Sequence, residues 1–392
     1  MTAESVTAVI LAAGEGRRLA PLTNRRPKSM IPVANRPLLE YVVEAIAEAG
    51  LEHITLVVGY RHERIRDYFG DGDEWGVTIE YVEQSTRLGT GHAVLQAESL
   101  IDGPFVVLNG DRIVESALVE RVAAGARDGE CPLMAVTTSE TPREYGVVTF
   151  DGEHVTGIDE KPEGPVETNR INAGVYGFSP AIFEAIRSTD TNGELALTAT
   201  LDELADGRDG VHGITYTGRW LDVSNLWDLL TVNAGLIDSD PTTSPETRSV
   251  DTPADTANDV VLAASARVGP AATIGGNTAV GQNVSIGANA VVENTIVFAD
   301  AVIGAGAVVR DAVVAGNARI GPNVTIDGPP ATIVVEDTVH HDIELGGVVG
   351  DNATIGAGST LTTGAVIGDD VDTDAGVTID SRVTAGVTVR RG

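Results

Sequence analysis

The stretch Val6-Thr7-Ala8-Val9-Ile10-Leu11-Ala12-Ala13-Gly14-Glu15-Gly16-Arg17-Arg18-Leu19 decides how the first half of this chain is read. Its apolar run, Val6 to Leu11, predicts a buried strand. Gly14 and Gly16 then permit a tight turn with inward-pointing backbone N–H groups, which an anion can approach because no Cβ intervenes. Arg17 and Arg18 follow at once, and Pro27-Lys28 adds an ammonium. A turn that gathers this much fixed positive charge suits the oxygens of a triphosphate. It is not a dinucleotide-binding turn, because Leu19 stands where the third glycine belongs, nor a P-loop, because no Gly-Lys-Ser/Thr follows.

Working outward, Ile54–Val58, Thr78–Val82 and Phe105–Leu108 read as further short strands, and Leu38–Gly50 as an amphipathic helix ending at glycine. This βαβα order predicts a Rossmann-like, three-layer α/β domain with a mainly parallel sheet and ligands at the carboxyl ends of its strands. The pattern from Leu11-Ala12-Ala13-Gly14 through Arg26-Pro27-Lys28 and Pro32-Val33 to Pro37-Leu38-Leu39-Glu40-Tyr41 resembles the signature of the sugar-1-phosphate nucleotidylyltransferases.

That resemblance implies roles for particular residues. Leu11, Ala12, Ala13, Gly14 and Gly16 would line the nucleotide, with Arg18 and Lys28 on its phosphates. Gln84, Gly89 and Thr90, in the loop Gln84 to Ala93, would recognise a pyrimidine base; the Leu88-Gly89-Thr90-Gly91-His92 form is most similar to that of uridylyltransferases. Asp111 ends an apolar strand and would be a catalytic Mg2+ ligand, with Asp222 as its partner. The family usually carries glycine where Ser224 stands. Gly146, Glu160 and Asn172 would bind the sugar, Lys161 its phosphate, and Glu194 is an accessory contact. The implied reaction joins UTP or dTTP to a sugar 1-phosphate and releases pyrophosphate.

Composition sets limits. The chain has 392 residues and a formal net charge of −31, which argues against nucleic acid or an anionic membrane as a main partner. Acidic residues are spread along the chain, and 42% of residues are hydrophobic, so the acidity reads as a surface adapted to molar salt rather than as disorder. Only two lysines, Lys28 and Lys161, stand among twenty-six basic residues, and both fall in the motifs above. The single cysteine, Cys131, excludes an intramolecular disulfide and a thiolate metal cluster and is expected in the core. With no long apolar run and no leader-like start, the expected location is the cytoplasm.

The domains expected are 1–236 for the nucleotidyltransferase part, 237–262 for an acidic Pro/Thr-rich linker, and 263–392 for a second fold. There the period changes. Val268, Ile274, Val280, Ile286 and Val292 fall six apart; after a slip come Val297, Ile303 and Val309, then after another Val314, Ile320 and Ile326. A second array runs Val349, Ile355, Leu361, Ile367, with Thr373 and Ile379 in phase. Such hexads predict a left-handed parallel β-helix. The resemblance implies a homo-oligomer, a trimer through this helix. Residues 327–348 interrupt the hexads and read as a surface loop containing His340 and His341.

Two other functions stay open. In related two-domain enzymes the β-helix acetylates an amino sugar 1-phosphate with acetyl-CoA, but hexads 303–326 lack the histidine, tyrosine and lysine of that chemistry. A non-catalytic regulatory or assembly protein can also combine these two domain types, although it would be expected to lose the charged residues that this chain keeps.

Overall fold

The apolar run at the head of the chain becomes strand β1 (Thr7–Ala12), in which Val9 and Ile10 are fully buried. The computed structural model describes residues 5–59, 61–190, 193–207, 210–239, 255–257, 259–328, 330–335 and 338–391. The chain divides into two compact units, Met1–Glu15 with Leu38–Asp222 and Gly16–Pro37 with Val223–Gly392.

After β1 come the short pair β2 (Pro32–Val33) and β3 (Arg36–Pro37), then α1 (Leu38–Glu48), β4 (His53–Val58), α2 (Glu63–Phe69), β5 (Thr78–Glu83) and α3 (Thr90–Gln96). Next are β6 (Phe105–Asn109), β7 (Arg112–Val114), α4 (Ser116–Asp128), β8 (Leu133–Thr138), β9 (Gly146–Asp151), β10 (His154–Glu160) and β11 (Arg170–Phe178). Helices α5 (Ile182–Ser188) and α6 (Leu197–Ala205), strands β12 (Val211–Thr215) and β13 (Trp220–Asp222), and helix α7 (Asp228–Ser239) follow.

In the first unit nine strands form one sheet in the order β5-β4-β1-β6-β11-β8-β12-β10-β9. The four strands read from the sequence, β1, β4, β5 and β6, run parallel to their neighbours among them, as expected for βα alternation. The other half is mixed. Strand β11 enters antiparallel between β6 and β8, and β9 and β10 form an antiparallel hairpin, which needs only a tight turn instead of a crossover helix. Helix α1 buries Leu38, Leu39, Val42, Val43 and Ile46 as one stripe and stops just before Gly50, whose φ is +77°. Cys131 is half-buried rather than fully in the core, and burial pushes its thiol up to about 11. Among the described residues no helix is long and apolar enough to cross a membrane.

In the second unit three seven-stranded parallel sheets wind into a β-helix, consistent with the left-handed form that the hexads predict. The aliphatics stack into columns: Val268 beneath Ile286, Ile303 and Ile320; Ile274 beneath Val292, Val309 and Ile326; Val280 beneath Val297 and Val314. All of these are buried in one apolar core. The slips in the sequence are corners one residue shorter: Val268 to Ile286 is an eighteen-residue coil, and Ile286 to Ile303 a seventeen-residue one. The glycine that follows many of the inward aliphatics has a reason as well. A Cβ on Gly287 would lie 2.4 Å from the backbone nitrogen of Ala305 in the next coil. Instead of a simple surface loop, the interruption contains a hairpin, Ala331–Val335 paired antiparallel with Thr338–Ile343. Of the expected linker, residues 240–254 and 258 lie outside the described residues, whereas Asp255–Thr256 and Val260–Leu262 already pair as the first strands of two of the sheets.

Candidate active site

Strands β1 and β6 are neighbours in register, Leu11 opposite Asn109, so the loops leaving their carboxyl ends emerge side by side. Ala12 and Ala13 are buried, and Gly14 is exposed with open space where a Cβ would stand. Two glycines not singled out in the sequence flank this strand end. A Cβ on Gly110 would come within 3.1 Å of the Leu11 carbonyl oxygen, and one on Gly59 within 3.0 Å of that of Ala13. The Gly110 N–H donates to the same Leu11 carbonyl at 2.9 Å. Glu15, directly after Gly14, pairs with Arg87 and so ties the glycine turn to the Gln84 loop.

That loop is built from within. Gln84 is buried, and its Nε2 donates to the Gly89 carbonyl at 3.2 Å and reaches Nδ1 of His92 at 2.9 Å. Gly89 has φ +104° and lies so close to Leu195 that a Cβ would meet its carbonyl oxygen at 2.4 Å. Thr90 opens α3 and accepts from the Leu197 N–H at 2.9 Å through its hydroxyl, while Gly91 N–H donates to Leu195 O at 2.8 Å. The segment next to Glu194 thereby supports the loop from below.

The second group of residues centres on one that sequence reading missed, Arg112. Strands β7 and β13 pair antiparallel, with Asp222 opposite Arg112 and Asp111 at the head of β7. Arg112 Nε lies 3.5 Å from Asp222 Oδ1, whose side chain is only 3% exposed. The guanidinium also lies over the rings of Trp220 and Tyr145, which meet edge to face at 5.4 Å. Burial works against its charge, the carboxylates of Asp222 and Asp111 favour it, and the balance holds Arg112 above its ordinary range. The only sequence signal was a cation immediately after the expected metal ligand. Among the described residues no group of three His, Cys, Asp or Glu could hold a metal ion. Two carboxylates fit a hard divalent cation of the Mg2+ kind, which takes few protein ligands and completes its shell with phosphate and water.

Arg112 also links this group to the expected sugar residues. Its Nη1 donates to the Asn172 carbonyl at 2.9 Å. Asn172 is buried where β11 bulges; its Nδ2 donates to the Tyr176 hydroxyl at 2.8 Å, and its Oδ1 accepts from Gly174 N–H at 2.9 Å. Gly174 has φ +77°, and a Cβ there would strike Asn109 Nδ2 at 2.7 Å. Gly146 lies opposite Glu160 in the β9–β10 hairpin; a Cβ on it would come within 2.9 Å of Glu160 Oε2 and 3.7 Å of Asn172 Cβ. Gly146, Glu160 and Asn172 therefore converge. Lys161, next in sequence, has φ +49° and donates its N–H to the Tyr145 carbonyl at 3.1 Å. A lysine held in the left-handed region costs about 1–2 kcal/mol, which marks a position the surroundings impose.

Gly16, Arg18 and Lys28 belong to the second unit. Gly16 has φ +64°, and a Cβ on it would lie 2.8 Å from Lys28 Cβ, so the two turns touch. Thr23 Oγ1 donates to the Gly16 carbonyl at 3.0 Å and fastens the knot. Arg18 lies in the single 3-10 turn Arg17–Leu19, and Lys28 begins a second, Lys28–Met30, after Pro27. Ser224, where the resemblance led one to expect glycine, donates its N–H to Asp228 at 2.9 Å ahead of α7. In the hairpin, the His340 ring lies against Trp227 at 4.9 Å, and His341 Nδ1 is 3.4 Å from Thr332 Oγ1.

A family model described as nucleotidyl transferase matches residues 7–239, and one described as the GMPPB C-terminal domain matches residues 256–385. The chain is 40% identical over 234 residues to a bifunctional protein GlmU of Methanocaldococcus jannaschii, covering 59% of this chain and 54% of that one. It is 36% identical over 237 residues to a glucose-1-phosphate thymidylyltransferase of Streptomyces antibioticus, covering 59% of this chain and 66% of that one. It thus spans about half the length of the first of these relatives. Among solved structures, a UDP-glucose pyrophosphorylase complexed with UDP-glucose superposes with a TM-score of 0.54 at 24% identity, over 60% of this chain and all of that one, a likeness of fold.

Proposed function

The chain belongs to the nucleotidyl transferase family, and from that membership we propose that it is a sugar-1-phosphate nucleotidylyltransferase acting on UTP or dTTP. A phosphate oxygen of the sugar 1-phosphate attacks the α-phosphorus in line; that O–P bond forms as the bond to the β-phosphate breaks, and pyrophosphate leaves. Both reactants are anions, so the protein has to neutralise charge and align the attack; no covalent nucleophile is needed.

The residues divide this work. Leu11, Ala12, Ala13, Gly14 and Gly16 present backbone to the nucleotide. Arg18 and Lys28 hold the departing pyrophosphate. Gln84 offers its carbonyl oxygen to the imide N–H of a pyrimidine, since its amide nitrogen is engaged by Gly89 and His92, and Gly89 and Thr90 shape the same pocket. Glu160 and Asn172 bind the sugar hydroxyls beside Gly146, and Lys161 meets the attacking phosphate. A divalent ion, Mg2+ in this reading, would be held by Asp111 and Asp222 and would supply charge neutralisation between the phosphates. Arg112 pairs with Asp222 and fixes its direction.

The observation that carries this reading is that Asp222, far away in sequence, lies opposite and 3.5 Å from Arg112, the residue directly after Asp111, and that the same guanidinium holds the Asn172 carbonyl. The reading further includes a homotrimer assembled through the β-helix and work in molar salt in the cytoplasm. The test is pyrophosphate release by the purified chain in multimolar KCl with Mg2+, crossing UTP and dTTP with glucose 1-phosphate and N-acetylglucosamine 1-phosphate. Release in at least one pairing is expected. Silence in all four and in a wider panel of sugars and bases, with the protein folded, overturns the proposal.

A further inference from the structure

The segment Gly16–Pro37, which carries Arg18 and Lys28, is laid along the corners of successive β-helix coils. Asn35 Nδ2 donates to the Val280 carbonyl at 2.8 Å. The Arg26 guanidinium lies over the Phe298 ring at 4.9 Å and donates to Asp351 Oδ1 at 2.5 Å. Asn24 Nδ2 donates to Asp369 Oδ2 at 2.9 Å, Arg25 pairs with Asp370 at 2.5 Å, and the Ala20 carbonyl accepts from Arg382 at 3.4 Å. The coil residues rise from 280 to 382 while the segment falls from 35 to 20, so the segment runs the length of one column of the stack.

The central contact is built for placement more than for stability. Arg26 and Asp351 side chains are 10% and 6% exposed, and the second Asp351 oxygen is buried with no hydrogen bond. Asp369 lies beneath, its Oδ1 accepting from the Asp351 N–H at 2.8 Å. Two carboxylates at one corner are expensive to bury unless a cation of fixed position completes them, and a bidentate-capable arginine accepts few alternative positions. At the other end, Asn233 of α7 accepts from the Ala34 N–H at 2.8 Å and donates to the Asn277 carbonyl at 2.6 Å, so the β2–β3 turn is also tied to the coils. Leu22 and Ile31 are fully buried between these ties, Leu19 is fully buried just ahead of them, and Gly16 abuts Lys28.

We propose that Asp351, Asp369 and Asp370 are positioning residues: through Arg26, Asn24 and Arg25 the β-helix sets the geometry of Arg18 and Lys28, and with it the handling of the triphosphate and pyrophosphate. This rests on the roles given to Arg18 and Lys28 above. The sugar-phosphate residues Gly146, Glu160, Lys161 and Asn172 have no share in this tether. Damage to it therefore falls on one substrate only.

The test uses the full chain in multimolar KCl with Mg2+, comparing wild type with Asp351→Asn and, as a second variant, Asp369→Asn. The expected result is a KM for triphosphate, and for pyrophosphate in reverse, raised about tenfold, with the KM for sugar 1-phosphate within about twofold of wild type. Hydrogen exchange in the same samples should quicken across residues 16–37 and stay unchanged in β1 and β6. Equal rises in both KM values, or a loss of kcat alone, would mean a merely structural tie and overturn the proposal. Unchanged exchange in 16–37 overturns it too. If wild type turns over no substrate pair, the proposed function fails by itself, and the exchange result alone decides whether the coils set this segment.

Discussion

The two units use glycine for opposite purposes. In the β-helix, a Cβ on Gly287 would collide with the backbone of the next coil, so that glycine is required by the chain itself. At the end of β1, a Cβ on Gly14 would meet nothing, and no positive φ demands glycine there. A glycine that the fold requires recurs with the period of the fold. One that the fold does not require, in the turn after β1, stands where the proposed nucleotide would approach the backbone.

The sharpest way to break this contrast is to remove a proposed phosphate contact. Lys28→Ala or Asp111→Ala is expected to raise the barrier by about 3 kcal/mol or more while the thermal midpoint hardly moves. Near-normal turnover in Asp111→Ala would remove the metal assignment. Next in size, Ile303→Ala empties part of the buried column and should cost about 2–4 kcal/mol of stability, measured by denaturant unfolding, with kcat of the folded fraction kept. Gly287→Ala tests the coil side of the comparison directly: forcing the next coil outward should cost about 1–3 kcal/mol. The smallest change in stability is expected for Gly14→Ala, within about 0.5 kcal/mol, yet this variant should raise the triphosphate KM. A large destabilisation of Gly14→Ala with unaltered KM would reverse the assignment of the two glycines.

What could be read in advance follows the same division. The hexads gave away the columns of the β-helix because every coil repeats the same burial problem, and even the slips after Val292 and Val309 turned out to be short corners. The strand ends carrying Gly14 and Asp111 were legible because their apolar runs are local. Arg112 was not, since its partners Tyr145, Asn172 and the pair Trp220 and Asp222 come from three separate stretches brought together by the β7–β13 pair and the bulge of β11. The tether of Arg26 to Asp351 spans 325 residues and has no local pattern at either end. The 331–343 hairpin escaped notice because its alternation is weak: Val334 and Val339 face each other across the strands and are both exposed.

That hairpin has a consequence of its own. On either side of it the coils keep their alignment, with Val314 beneath Val349, Ile320 beneath Ile355 and Ile326 beneath Leu361. The stack closes over the added length as if it were absent. A corner of this kind is an insertion port: sequence can be lengthened, exchanged or grafted there without renumbering a single contact in the column, so new surface can be acquired while the scaffold that carries it is inherited unchanged.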